Sequence, residues 1–133
     1  MKIERINPEK LAAPRGYAHA VAVPGNHRTI YIGGQNALDA KGNLVGGASL
    51  ADQTRQVLRN IDVILESVGT THDSIVKMTI YLVQGQDPVE GFKAFQEHWP
   101  EKSSPPAISV LFVAGLGRPD WLVEIEAIAA IPE

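Results

Sequence analysis

Residues 105–132 read PPAISVLFVAGLGRPDWLVEIEAIAAIP, and the alternation in the second half of this stretch decides the fold. Val123, Ile125, Ala127 and Ala129 fall on one face of a period-2 strand, and Leu122, Glu124, Glu126 and Ile128 on the other. Glu124 and Glu126 therefore project the same way, about 7 Å apart along the strand. The upstream half is an apolar run, and Gly115, Gly117, Arg118, Pro119 and Asp120 between the two supply turn chemistry. The two runs are expected to pair as an antiparallel hairpin with a loop of several residues. Two acids on a strand face suggest, by themselves, a solvated face. Leu122 and Ile128 on that same face do not suit open water, and the mixture points to cover by another subunit.

Working outward from this stretch, the clearest element is a helix over Ser49 to Val68. Leu50, Thr54, Val57, Leu58, Ile61, Ile64, Leu65 and Val68 recur at helical spacing, Ser49 is a natural N-cap, and Gly69 is a natural stop. Asp87 to Trp99 is a second amphipathic helix, with Val89, Phe92, Phe95 and Trp99 along one stripe, Pro88 at its first position and Pro100 as its stop. Between the helices, Ser74 to Val83 alternates as a strand. Earlier, Lys2 to Ile6 is a short strand. Tyr17 to Val23 is a second, with Tyr17 and His19 on one face and Ala18, Ala20 and Ala22 on the other, where a helix can approach closely. The turn at Pro24-Gly25-Asn26 returns it as a partner strand over Arg28 to Ile32, and Gly33-Gly34 mark a bulge or bend. The order β, β, β, α, β, α, β, β is that of an α+β domain: one mostly antiparallel sheet with two helices packed on one face. The face left uncovered carries Tyr17, His19, Glu124 and Glu126, and a closed homo-oligomer is the natural way to cover it.

At 133 residues this is one domain, 1–133, with 44% hydrophobic and 20% charged residues, an ordinary globular composition. A net charge of −3 leaves no electrostatic footprint for nucleic acid or an anionic membrane surface. There is no cysteine, which excludes thiolate nucleophiles, disulfides and thiolate metal sites. The first ten residues, MKIERINPEK, lack the apolar core of a secretory signal, and no run approaches membrane-spanning length, so a cytoplasmic location is expected. His27, His72 and His98 show no metal-ligand spacing, and no metal site or cofactor is expected. A lone histidine such as His19 reads as a hydrogen-bonded structural group.

Taken together, these segments resemble the RidA (YjgF-type) family over essentially the whole chain. The matching pieces are the loop leading to Tyr17, GGQ at 33–35, AxQTRQVLxNI at 51–61, SIVKMTIYL at 74–82 and the ending EIEAIA at 124–129. The resemblance implies a chorismate-mutase-like fold and a homotrimer with a central barrel and pockets between subunits. It implies hydrolysis there of small enamines and imines such as 2-aminoacrylate, giving 2-oxo acids and ammonia. Carried over by position, Glu124 becomes the catalytic acid, and Tyr17 and the Gly34 backbone become ligand contacts. Two positions depart from the pattern. The serine of the family's SGQ motif is Gly33, and the arginine of its PAR[ST] motif, which clamps the substrate carboxylate, is Ile108.

Loss of that arginine bears on substrate choice. A charge-assisted contact to a carboxylate contributes roughly 1.5–3 kcal/mol, and an isoleucine makes entry of the charge costly instead. A carboxylate held between apolar walls can act as acid and base near neutral pH. Glu124 meets that description if Ile108 and Val110 lie beside it on the partner strand of the hairpin. The expected site is thus catalytic Glu124 with substrate-binding Tyr17, Gly33, Gly34, Ile108 and Val110, acting on a less acidic or more apolar substrate. The alternative is a non-enzymatic small-ligand-binding or interaction protein on the same scaffold. Arg15 and Arg118, both in expected loops, are the cations available to replace the missing one. RNA cleavage ranks last, for want of a basic stripe.

Overall fold

The computed structural model of the protein describes residues 3–99 and 105–133; the expected strand start at Lys2, the helix stop at Pro100 and the following loop to 104 lie outside the described residues. In chain order the elements are β1 (Glu4–Ile6), β2 (Ala20–Ala22), β3 (His27–Gln35), α1 (Leu50–Ser67), a 3₁₀ turn (His72–Ser74), β4 (Ile75–Val83), α2 (Pro88–His98), β5 (Ala107–Val113) and β6 (Val123–Pro132). The expected α+β order is met, with two helices and a mixed sheet. The local signals behave as chemistry predicts. The Ser49 hydroxyl accepts from the Asp52 N–H at 3.1 Å, Asp87 caps α2 through the Val89 N–H at 3.0 Å, and Gly69 takes up φ 81° beyond α1.

Strand pairing departs from the expected hairpin. The main sheet runs β3-β6-β4-β5, so β6 is inserted between β3 and β4, antiparallel to both, and β5 lies parallel to β4 at the edge. The reason is the helix between β4 and β5: a strand–helix–strand unit delivers its second strand parallel to the first. The loop after β5 then carries the chain back across β4. A central place for β6 explains why Val123, Ile125 and Ala129 are completely buried. Nor does β2 pair with β3. It pairs with β1 in a separate two-stranded sheet, and of its expected alanine face only Ala18 is buried while Ala20 is exposed.

Both helices lie on one face, over Met78, Leu82, Val123, Ile125, Ala127 and Ala129, with Leu58, Ile61 and Leu65 of α1 and Phe95 and Trp99 completing the core. The apolar stripe of α2 is narrower than expected. Gly91, Ala94 and Phe95 face inward, whereas Val89 and Phe92 are about half exposed, because the helix stands at the margin of the sheet. Arg55 of α1 ties the helices together, its Nε and Nη2 donating to the Glu97 carboxylate at 3.0 and 3.2 Å. That contact holds the Glu97 carboxyl below the usual carboxylate range. The sheet's other face carries Tyr31, Lys77, Thr79, Tyr81, Glu124, Glu126 and Ile128, with no helix over it.

Candidate active site

Glu124 is placed by three features of its neighbours. On β6 it sits opposite Tyr81 of β4, on the helix-free face, and is half-buried. On its other side β3 bulges between Ile32 and Gln35, as the paired glycines predict, and brings the Gly34 backbone against the carboxylate. A Cβ on Gly34 would lie 2.5 Å from Glu124 Oε2 and 2.7 Å from its carboxyl carbon, so only glycine allows this seat. The bulge is thus also a close approach. From the helix side, the fully buried Gln53 anchors the start of β6. Its amide donates to Gly47 O and Asp120 O at 2.7 and 2.9 Å and accepts from the Leu122 N–H at 2.9 Å. Gly46, at φ 101°, lets the loop pass close to the first turn of α1; a Cβ there would come within 2.8 Å of the Gln53 backbone nitrogen.

Tyr81 is a member of this group that periodicity did not single out. Its hydroxyl donates to Glu126 Oε1 at 2.6 Å. That hydrogen bond, then desolvation and the charges of Glu126 and Glu124, raise the phenol above its ordinary pKa. The signal was available in the alternation of residues 74–83, but it acquires meaning only once β4 is known to lie beside β6. Tyr81 and the two glutamates form one connected acidic patch, with Glu126 engaged as acceptor.

The remaining expected residues lie elsewhere. A cavity of about 320 Å³ opens between the β4–β5 margin of the sheet and α2, lined by Tyr17, Ile80, Phe92, Ile108, Val110 and Ile125 among others. Ile108 and Val110 pair with Met78 and Ile80, so they project to the helix-covered face. Glu124 projects to the opposite one. The expectation that Ile108 and Val110 flank Glu124 on a paired strand is therefore corrected: β4 lies between the strands, and the side chains point away from each other. Tyr17 joins Ile108 because the loop before β2 docks on the edge of β5, with Ala18 N–H donating to Pro106 O at 2.9 Å and Ala18 bridging Ala107. Gly16, at φ 76°, turns the loop above Phe92.

Of the two candidate cations, Arg15 lines this cavity and Arg118 does not, lying instead 5.6 Å over the Trp121 ring. His19 meets the edge of the Tyr17 ring, with centroids 5.5 Å apart, and its Nε2 is 2.7 Å from Ala12 O, the structural role expected of it. The residues expected to share a site thus fall on opposite faces of the sheet in two halves: a carboxylate seated on glycine, and an apolar cavity with one arginine.

Comparison with known proteins gives these halves a context. The family described as Endoribonuclease L-PSP matches residues 8–131. A RutC family protein of Pyrococcus horikoshii is 37% identical over 127 residues, 95% of this chain and 96% of the relative. A 2-iminobutanoate/2-iminopropanoate deaminase of Bos taurus is 39% identical over 119 residues, 89% of this chain and 82% of the relative. Among solved structures, a Rid-family protein of unknown function from Yersinia pestis superposes with a TM-score of 0.87 at 35% identity, covering 98% of this chain and all of that one. A putative endoribonuclease from Thermotoga maritima gives 0.70 at 30% identity, over 96% and 92% of the two chains. Matches of this extent, on a fold reached independently from the strand order, make the chain a member of the endoribonuclease L-PSP family, the RidA (YjgF-type) group that its GGQ, AxQTRQVLxNI and EIEAIA segments resemble.

Proposed function

We propose that the protein hydrolyses enamines and imines to carbonyl compounds and ammonia, in pockets formed between neighbouring copies of a closed homotrimer, with Glu124 moving the protons. The observation that carries this reading is the seat of the Glu124 carboxylate on Gly34, which fixes an acid at a backbone surface with no side chain to block a ligand. The deaminase activity named for the bovine relative supports the reaction class.

Assembly is part of the proposal because the half-sites face opposite ways. Strands β3 and β5 are the outer strands of the main sheet, β5 open beyond the Ala18 bridge at its start, and both carry exposed apolar groups: Tyr31 on β3 and Val110, Leu111 and Phe112 on β5. Such edges invite pairing with another chain. In the proposed ring, Gly33, Gly34 and Glu124 of one copy meet the mouth of the cavity that Tyr17, Ile108 and Val110 line in the next.

In that pocket an enamine takes a proton on carbon from the Glu124 carboxyl and becomes an iminium. The carboxylate left behind accepts a proton from water as its oxygen adds to the C=N carbon. Glu124 then gives that proton to the nitrogen of the tetrahedral carbinolamine, ammonia departs as the C–N bond breaks, and the carboxylate takes up the hydroxyl proton, which leaves the carbonyl product and the acid restored. General acid–base assistance of this kind contributes about 10²–10⁴-fold. The cavity walls favour a substrate with a larger apolar body than 2-aminoacrylate. Arg15, on the loop, replaces the arginine absent at Ile108 as the group that meets a carboxylate when the substrate has one.

The test is release of carbonyl product and ammonia from imines generated in situ, with and without a carboxylate. Glu124→Ala is expected to lower turnover at least 100-fold on both sorts of substrate, and Arg15→Ala to affect only the carboxylate-bearing ones. Equal rates for the native protein and Glu124→Ala would leave a ligand-binding protein rather than an enzyme.

A further inference from the structure

We propose a second site, unrelated to imine hydrolysis: a divalent transition-metal site, suited to Zn²⁺, formed by Asp62, His72 and His98. These residues are far apart in sequence and arrive from three elements: Asp62 from α1, His72 from the first position of the 3₁₀ turn and His98 from the last position of α2. One ligand atom from each lies within 4.8 Å of the other two, the one such group among the described residues. The separations lie within reach of a shared metal ion. Donors held at roughly 2.0–2.1 Å from a tetrahedral zinc stand about 3.4 Å apart. Here His98 Nε2 is 2.8 Å from Asp62 Oδ2 and no separation exceeds 4.8 Å, so small side-chain rotations bring all three to bonding distance. A metal would take the place of the close His98–Asp62 contact, bound through Nε2 of a neutral imidazole whose proton is on Nδ1.

His72 gives the proposal its second support. Its polar contact, Nε2 to Asp73 Oδ1 at 3.5 Å, is beyond a good hydrogen bond and leaves the ring able to ligate. The ring is held by packing, with Trp99 at 4.7 Å and His98 at 6.0 Å between centroids. All three side chains are partly buried, 21–32% exposed, which limits their motion yet leaves a path for an ion and its water. Two imidazoles and one carboxylate with an open fourth position are zinc's donor chemistry, and nitrogen donors disfavour Mg²⁺ and Ca²⁺. The fourth ligand is water or, after a small rotation, Asp73.

The site staples the C-terminal halves of α1 and α2 to the start of β4. The residues of α2 that line the apolar cavity, Pro88, Gly91, Phe92 and Phe95, lie towards its other end, so the metal's role is structural.

The experiment uses the intact, tag-free protein, stripped with chelator and titrated with ZnCl₂ by calorimetry and thermal melting. One Zn²⁺ per chain and a Tm rise of roughly 5 °C or more at saturation are expected. His72→Ala, His98→Gln and Asp62→Asn should each abolish both effects, while His27→Ala, outside the cluster, retains them. Should those variants misfold, a readout without them remains: in Trp121→Phe, whose one tryptophan is Trp99, Cu²⁺ should quench the indole fluorescence with the same stoichiometry. Binding that survives His72→Ala and His98→Gln in folded protein, zinc affinity weaker than millimolar, or Cu²⁺ that leaves Trp99 emission unchanged would each overturn the site.

Discussion

At the scale of single residues, the pairing of Glu124 with Gly34 separates activity from stability more cleanly than substitution of the acid itself. In Gly34→Ala the new methyl group meets the carboxyl end of a side chain able to swing away, so the fold should lose no more than about 1 kcal/mol. The displaced carboxyl group leaves its seat at the proposed pocket, and turnover should fall roughly 100-fold, near the level of Glu124→Ala. Urea midpoints and initial rates on the same preparation check both halves of this. Tyr81 offers a pH test. Its phenol is raised by the hydrogen bond to Glu126, so the folded state holds that proton more tightly than the unfolded chain. The resulting stabilisation is fully present below the ordinary tyrosine pKa and is lost as pH rises through the raised value. Stability of the native protein should therefore decline more steeply in alkali than that of Tyr81→Phe. The Glu97 carboxyl, lowered by Arg55, acts in the opposite sense: its stabilisation is present above the usual carboxylate range and disappears as pH falls, so Glu97→Gln should flatten the acid limb.

At the scale of elements, the helix-borne Gln53 does as much to define the site as any strand residue. It is completely buried and closes three hydrogen bonds that fix where β6 begins. Gln53→Leu strands two carbonyls and one N–H and should cost about 2–4 kcal/mol, read as a fall in urea midpoint. This is also the scale at which the sequence could and could not be read. Caps, stripes and the glycine bulge were legible, because each depends on residues within a few positions of one another: Ser49 with Asp52, Leu58 with Ile61, Gly33 with Gly34. Which strands pair was not. The alternation in Val123–Ala129 shows two faces but not that both edges of the strand are occupied, and α2 between β4 and β5 was the overlooked sign of a parallel pair. That one pairing moved Ile108 and Val110 to the face opposite Glu124 and brought Tyr81 beside it. The convergence of Asp62, His72 and His98 was hidden for the same reason, since their spacing in sequence carries no ligand pattern.

At the scale of the whole molecule, the proposed function makes one chain half of two sites. Its acidic patch lies on the helix-free face and its apolar cavity on the helix-covered side, with exposed apolar groups along β3 and β5, the outer strands of the sheet. Complementation between two inactive variants tests this most directly. Glu124→Ala retains the cavity, and Tyr17→Ala combined with Val110→Trp retains the acid but obstructs the cavity. The two are mixed, unfolded together and refolded, and imine hydrolysis is measured. If each pocket draws its cavity from one copy and its acid from the next, random assembly should recover roughly one quarter of native activity from proteins that are each inactive alone. No recovery, in mixed oligomers verified by mass, would place cavity and acid in the same copy and contradict the shared pocket.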